Sequence, residues 1–171
     1  ICHITSIPTP DEQGNNKGPG TFGQSARTFV DKLAEANVRY WQLLPLNPTD
    51  AFGSPYAGLS ACAGNTRLLP PDIAEAPLTC EDKPAFEAFK AHNRHWLFPY
   101  ATFTAIKQQV GEIPWQQWPE TYKHWHAGRE QLPELEKAAQ EEMRRQFLFD
   151  REWKALRTYA NDRGIKIIGD M

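Results

Sequence analysis

Three short apolar runs stand out along the chain, and their length and composition predict β-strands. They are Ile1 to Ile7, Val38 to Leu46 and Ile165 to Asp170, each rich in branched or aromatic residues. The second and third runs are nearly continuous in apolar residues, which is typical of strands buried on both faces. Parallel sheets are covered by helices on both faces, so such strands favour an α/β protein.

Helical periodicity fills the intervals between these runs. An apolar stripe predicts a helix from Gln24 to about Asn37, and Thr21 with Gln24 has the spacing of a capping box. Two longer patterns predict helices over 84–110 and 134–163, and a single helical turn is predicted near 71–76. Pro99 is expected to kink or split the first long helix, and Gly164 to end the second.

The order of these elements predicts how the chain is organised. The β-α-β order of the first 48 residues predicts a parallel strand pair joined by a right-handed crossover. We divide the chain into 1–70 with two strands, a helix and a loop, 71–140 as a mainly helical insertion, and 141–171 with the return helix and third strand. Because both ends of the chain fall within strand-like runs, we expect a fragment of a longer protein.

Composition and charge exclude several classes of protein. The chain is 40% apolar and 23% charged, which favours a packed core over disorder. A net charge of −2 with scattered basic residues gives no nucleic-acid footprint, and no apolar run is long enough to span a bilayer. Arg144 and Arg145 are predicted to lie on a solvated helix face. The widely spaced Cys2, Cys62 and Cys80 favour a reducing cytoplasm over a disulfide framework or a zinc site.

Residues 47–83 have little regular periodicity and contain the stretch GSPYAGLSACAGN at 53–65. Small side chains surround the single Tyr56 in that stretch. Long structured loops in compact domains are usually functional, and few charges before Arg67 argue against disorder. In a parallel sheet, binding residues lie at the carboxyl ends of strands, which here places Thr5, Ser6, the Tyr56 loop and Asp170 at one edge.

The segments RYWQLLPL, SPYAGLSACAGN and IIGDM, with HITSIP and WQQWP, resemble the 4-α-glucanotransferases, the amylomaltases or disproportionating enzymes of glycoside hydrolase family 77. The resemblance extends over almost the whole chain. It implies a partial (β/α)₈ TIM barrel, in which this chain supplies the first three strands with a mainly helical insertion between strands two and three. It also implies transfer of an α-1,4-glucan segment to a new sugar acceptor, without a metal or organic cofactor.

The family's mechanism is retaining, and the resemblance implies that its aspartate nucleophile and glutamate acid/base lie past Met171. No residue of this chain is therefore expected to be catalytic, and the chain alone is expected to be inactive and unstable. The implied ligands are α-1,4-glucans and maltooligosaccharides, with no nucleic-acid or membrane partner. A non-catalytic α-glucan-binding module is the alternative, and a helical interaction protein without a sugar ligand is a third.

Four residues are candidates for substrate binding. Tyr56 matches the family's SPY tyrosine, whose ring lies against the sugar; a tyrosine packed under the barrel rim is the alternative. Asp170 matches the family's strand-three aspartate and can accept a sugar hydroxyl, or instead caps the following loop. Ser54 would either bond a sugar hydroxyl or cap the turn, and Asn47, like Asp50, could reach the site from the second strand.

Other residues carry weaker expectations. His3 is expected to be a hydrogen-bonded core histidine. The three tryptophans of the inserted region are expected to form its core rather than a glucan-stacking surface: Trp115, Trp118 and Trp125. The chain departs from the family at Ala57 to Leu59, where Gln-Ser-Phe is usual, and in a longer loop at 9–20. These departures concern the substrate subsites rather than the family.

Overall fold

The computed structural model describes residues 1–10, 18–50, 52–125 and 132–170. Its helices and strands are α1 Gln24–Glu35, β1 Tyr40–Gln42, α2 Pro71–Glu75, α3 Asp82–Val110, α4 Glu120–Lys123, α5 Glu136–Asp162 and β2 Lys166–Ile168. Single turns of 3₁₀-helix lie at Ile4–Ser6, Pro55–Ala57, Thr66–Leu68, Trp115–Gln117 and Pro133–Leu135. Most of the loop predicted at 9–20 falls at 11–17, outside the described residues.

The predicted helices are confirmed, with two corrections. Helices α1, α2, α3 and α5 lie where apolar periodicity predicts them, and Gly164 ends α5 with a left-handed φ of 76°. The capping box is wrong, because Gly23 is the N-cap, no described side chain caps the helix, and the Gln24 amide donates to the Thr28 hydroxyl at 3.4 Å. Helix α3 continues through Pro99, so the predicted split is wrong.

The strand predicted at 1–7 is wrong, since this segment forms the 3₁₀ turn Ile4–Ser6. Ile4 and Ile7 are both buried, and a spacing of three brings them onto one side of a helix with three residues per turn. The Cys2 N–H donates to the Gln42 carbonyl oxygen at 3.1 Å, which holds the segment beside β1. The first and second runs therefore do not form the predicted parallel strand pair, and this hydrogen bond links them instead.

The second and third runs form a parallel pair, β1 with β2, in which Trp41 is opposite Ile167. Burial on both faces is wrong for these residues: Trp41 is 2% exposed, but the adjacent Tyr40 is 60% exposed and Ile168 is also exposed. Side chains alternate between the two faces of a strand, and only one face of this pair is covered by the described residues. The described chain is thus a mostly helical α/β arrangement with one two-stranded sheet.

The chain divides into two units, residues 1–77 with 148–171 and residues 78–147. Helix α5 contributes residues to both. The prediction that 1–70 and 141–171 belong to a barrel, with 71–140 as an insertion, stays a prediction. Within the described ranges, no helix is both long and apolar enough to cross a membrane.

Phe22, just before α1, packs against aromatic residues of α5 in the first unit. The buried Phe22 ring meets Phe149 edge-on, with ring centroids 5.2 Å apart, and lies 5.9 Å from Trp153. The Tyr159 hydroxyl donates to the Asp31 carboxylate at 2.9 Å, which adds a polar connection between the same helices. Phe29 of α1 meets Trp41 of β1 edge-on with ring centroids 5.2 Å apart, so α1 also contacts the sheet.

The second unit has its own core, formed by Leu97, Ala101, Ala105, Ile106, Trp118, Leu135, Ala139 and Met143. Trp118 is buried, and Trp125 packs against this core with its ring 6.3 Å from Phe98, so the predicted core role is confirmed for both. Trp115 is 58% exposed, so the core prediction is wrong for this residue.

The helix face predicted to be solvated around Arg144 is partly buried. Glu142 is only 6% exposed and accepts a hydrogen bond from the Gln146 amide at 2.9 Å. Arg144 donates to Glu141 at 2.6 Å and its side chain is largely buried, whereas the Arg145 side chain is half-exposed and also donates to Glu141 at 3.1 Å. Burial raises the pKa of Glu142 above its usual value, and its hydrogen bond to Gln146 offsets part of that effect.

Candidate functional site

The loop that contains Tyr56 begins after β1, and its two ends, Leu46 and Asn65, lie side by side. The Asn65 N–H donates to the Leu46 carbonyl oxygen at 2.7 Å, which closes the loop at its base. The Asn65 side chain also accepts from the Arg67 N–H at 3.1 Å and caps the next 3₁₀ turn. Surface loops whose ends lie close together are compact units that commonly carry function.

Gly64 allows this loop to return close against α5. A Cβ atom placed on Gly64 would lie 2.2 Å from two ring carbons of Phe149. The Phe149 ring is buried and rests against Phe22 on another side. Any larger residue at 64 would therefore displace either the ring or the end of the loop.

Asp50 organises the turn that precedes Tyr56. Its Oδ1 accepts from the N–H groups of Phe52 at 3.0 Å and Ser54 at 2.8 Å, and Gly53 has a left-handed φ of 82°. The Asp50 N–H in turn donates to the Ser54 carbonyl oxygen at 3.3 Å. Aspartate side chains form such turns by bonding backbone groups a few residues further on.

Ser54 is the N-cap of the turn Pro55–Ala57, but its hydroxyl makes no capping hydrogen bond. The prediction that its side chain caps this turn is therefore wrong. Its backbone N–H and carbonyl oxygen instead form hydrogen bonds with Asp50 that hold the turn. A direct contact between the Ser54 hydroxyl and substrate stays a prediction.

Tyr56 and Asp170 are brought together, although they are 114 positions apart in the chain. The Tyr56 hydroxyl donates to Asp170 Oδ2 at 2.6 Å. Asp170 follows β2 by two residues, and Tyr56 sits in the 3₁₀ turn of the loop that follows β1. Tyr56 is 60% exposed among the described residues.

The Tyr56–Asp170 hydrogen bond has a defined electrostatic consequence. The Asp170 hydrogen bond is the main cause that raises the pKa of Tyr56, followed by partial desolvation and the negative charge of Asp170. Tyr56 therefore keeps its proton at neutral pH and remains a donor. Hydrogen bonds from a hydroxyl to a carboxylate are short and comparatively strong, so this contact orients both side chains.

Asn47 has a partner inside the loop. Its Nδ2 donates to the Pro55 carbonyl oxygen at 3.0 Å. Of the four predicted binding residues, Tyr56 and Asp170 thus contact each other, and Asn47 contacts the backbone just before Tyr56. Ser54 is bonded to Asp50 through its backbone groups. The structural role of Asp50 was not predicted, although an aspartate three residues before a glycine is a recognisable turn signal.

The expectation that His3 is a hydrogen-bonded core residue is wrong. Its ring is half-buried, and Nδ1 has no hydrogen-bond partner among the described residues. Burial lowers the pKa of His3, which favours the neutral ring. The expectation assumed a strand at 1–7, and the 3₁₀ turn that forms there gives the ring a different setting.

The described ranges hold no group of three or more His, Cys, Asp or Glu side chains arranged to bind a metal ion. The Tyr56–Asp170 pair itself offers an aromatic face, a hydroxyl and a carboxylate. Such groups suit a polar ligand with an apolar face, as a sugar ring has.

Polar groups at the carboxyl ends of two adjacent parallel strands are typical of α/β proteins that bind a ligand at the strand ends. The chain belongs to the 4-alpha-glucanotransferase family, glycoside hydrolase family 77, whose sequence profile matches residues 2–82 and 74–171. This family is the one that the sequence motifs predict, and the prediction is confirmed.

Individual relatives support the same assignment. The chain is 34% identical to the 4-alpha-glucanotransferase of Thermus thermophilus, covering all of this chain and 41% of that protein. It is 33% identical to the chloroplastic or amyloplastic 4-alpha-glucanotransferase of Solanum tuberosum, with 37% of that protein covered. The amylomaltase from Streptococcus agalactiae in complex with acarbose aligns with a TM-score of 0.74 and 28% identity, covering 99% of this chain and 42% of that one. The chain therefore spans about two fifths of these relatives.

Proposed function

We propose that the parent protein is a 4-α-glucanotransferase, which transfers a segment of an α-1,4-glucan to a new sugar acceptor by a retaining double displacement. The match of the family profile over almost the whole chain carries this proposal. The relative bound to acarbose supports maltooligosaccharides as the ligand class. The cytoplasmic location proposed for the parent rests on the sequence alone.

The fold of the parent is part of this proposal. We propose that β1 and β2 are neighbouring strands of a (β/α)₈ barrel, supported by their parallel register and by the amylomaltase that aligns with the chain. Further strands, with the nucleophile and the acid/base carboxyl groups, would come from the parent sequence past Met171. This chain would then supply one side of the substrate site.

Tyr56 and Asp170 are proposed to contact the sugar from that side. The exposed Tyr56 ring offers a flat face that covers the apolar side of a glucose unit. The Asp170 carboxylate has several lone-pair positions, so it can accept a sugar hydroxyl while it still accepts the Tyr56 hydroxyl. Its negative charge would also favour the positive charge that develops on the sugar during cleavage.

The test is an assay of the full-length parent on maltotriose, with glucose and longer maltooligosaccharides as the expected products. Tyr56→Ala and Asp170→Asn should each lower kcat/KM by about tenfold or more, because each removes one of two groups proposed to contact the sugar. Tyr122→Phe is the matched control, since the Tyr122 hydroxyl also meets a carboxylate, that of Glu134 at 3.4 Å. It should leave turnover unchanged.

Two outcomes would contradict the proposal. A wild-type parent that binds maltooligosaccharides but releases no glucose would favour the α-glucan-binding module. An active parent in which both variants match wild type would remove Tyr56 and Asp170 from the site while leaving the activity in place.

A further inference from the structure

Asn47 contacts the turn that carries Tyr56 at its first residue. Its side-chain amide donates to the carbonyl oxygen of Pro55 at 3.0 Å. That carbonyl belongs to the planar peptide group that also contains the Tyr56 nitrogen. A hydrogen bond that fixes this plane therefore fixes the direction in which the chain enters Tyr56.

The same amide also lies against the far end of the turn. A Cβ atom placed on Gly58 would lie 2.4 Å from Asn47 Nδ2 and 2.5 Å from the Pro48 carbonyl oxygen. Asn47 thus occupies the space that a side chain at position 58 would need. The turn Pro55–Ala57 is held between a hydrogen bond at its start and a close contact just after its end.

Tyr56 depends on such support because its ring is mostly exposed to solvent. Its hydroxyl is held by Asp170, and its backbone is held through Asn47. We propose that Asn47 is a positioning residue, which acts on the glucan by holding the Tyr56 turn and not by contacting the sugar. This inference rests on the proposed transferase function.

The chemistry of the amide separates this role from direct substrate binding. Only a donor can bond the Pro55 carbonyl oxygen, and an aspartate at 47 would bring its carboxylate against that oxygen. A carboxylate would still accept hydrogen bonds from sugar hydroxyls. Asn47→Asp should therefore be at least as harmful as Asn47→Ala if Asn47 positions the turn, and less harmful if Asn47 binds the sugar.

The experiment measures kcat and KM for maltotriose in the full-length parent carrying Asn47→Ala, Asn47→Asp, Tyr56→Ala and the double variant Asn47→Ala/Tyr56→Ala. We expect Asn47→Ala to lower kcat/KM roughly three- to tenfold, the range for loss of one net hydrogen bond. In the Tyr56→Ala background the same change should cost less than about twofold, because its effect passes through the missing ring.

Asn93→Ala is the matched control. The Asn93 amide also donates to a backbone carbonyl oxygen, that of Phe89 at 2.9 Å, but in α3. It should leave kcat/KM unchanged, and the unfolding midpoint of each Asn47 variant should stay near that of wild type.

Each result decides between explanations. An Asn47→Ala effect that persists at full size without the Tyr56 ring would overturn the positioning role, as would an Asn47→Asp variant more active than Asn47→Ala. A loss of activity that tracks a large fall in the unfolding midpoint would overturn it as well. A wild-type parent without transferase activity would instead refute the proposed function.

Discussion

Replacing Gly64 by alanine should destabilise the protein through one steric contact. The added methyl carbon would lie 2.2 Å from Phe149 Cδ1 and Cε1, more than 1 Å inside the ordinary contact distance of about 3.4–4 Å. The Phe149 ring cannot move freely, because it is buried and lies against the Phe22 ring at 5.2 Å. Overpacking of a core usually costs about 1–3 kcal/mol, and this constraint favours the upper part of that range.

The assay is chemical unfolding of the full-length parent carrying Gly64→Ala, Phe149→Ala and both changes. Phe149→Ala alone should cost about 3–5 kcal/mol through the cavity that it leaves. In that background Gly64→Ala should cost far less, because the new methyl group enters the vacated space, which gives a coupling of about 1–3 kcal/mol.

Gly169→Ala is the control for this experiment, since no described atom lies within 4 Å of a Cβ placed there. It should leave the unfolding midpoint nearly unchanged. A Gly64→Ala protein as stable as wild type, or one with the same loss in both backgrounds, would refute the argument that Gly64 is required by the Phe149 ring.

Three further predictions follow from the same geometry. Burial raises the pKa of Glu142, so the folded protein binds that proton more tightly than the unfolded chain. Replacing this residue, as Glu142→Gln, should therefore stabilise the protein by an amount that grows as pH rises above the usual glutamate pKa of 4.5 and vanishes below it. Unfolding midpoints at pH 4 and 7.5 measure this difference. Asp50→Ala should lower the unfolding free energy by about 1 kcal/mol and also lower transfer activity. Asp50→Asn keeps an acceptor for the Ser54 N–H, so it should keep most of the stability and most of the activity in the same assays. Tyr56→Phe should retain more maltotriose turnover than Tyr56→Ala, because it keeps the ring and loses only the hydroxyl bonded to Asp170; equal losses would contradict a stacking role.

The helices could be predicted from the sequence because their apolar periodicity extends over many turns. Helix α5 spans Glu136–Asp162, within a residue or two of the predicted bounds, and Gly164 ends it as predicted. The short runs carried less information. The segment at 1–7 is β-prone in composition, yet burial of Ile4 and Ile7 selected a 3₁₀ turn, a choice set by tertiary packing that local propensity does not report.

The residues proposed for the candidate site could be named from the sequence, but the contacts between them could not. Strand ends and family motifs predicted both Tyr56 and Asp170, whereas the hydrogen bond between them depends on the register of β1 with β2. Asn47 was predicted as a ligand because it follows a strand. Its contact with Pro55 depends on how a loop of irregular backbone folds back on itself, which no periodicity encodes.

Two glycines of this loop are explained by specific close approaches. Gly58 leaves room for the Asn47 amide and the Pro48 carbonyl oxygen, and Gly64 leaves room for the Phe149 ring. Compactness alone would bury the large side chains of the loop, but Phe52, Tyr56 and Leu59 are all exposed. Tyr56 differs from the other two in that its hydroxyl is tied to Asp170 and its turn to Asn47. An exposed aromatic ring held from both ends has the preorganisation that the proposed glucan contact requires, and this restraint separates Tyr56 from its exposed neighbours.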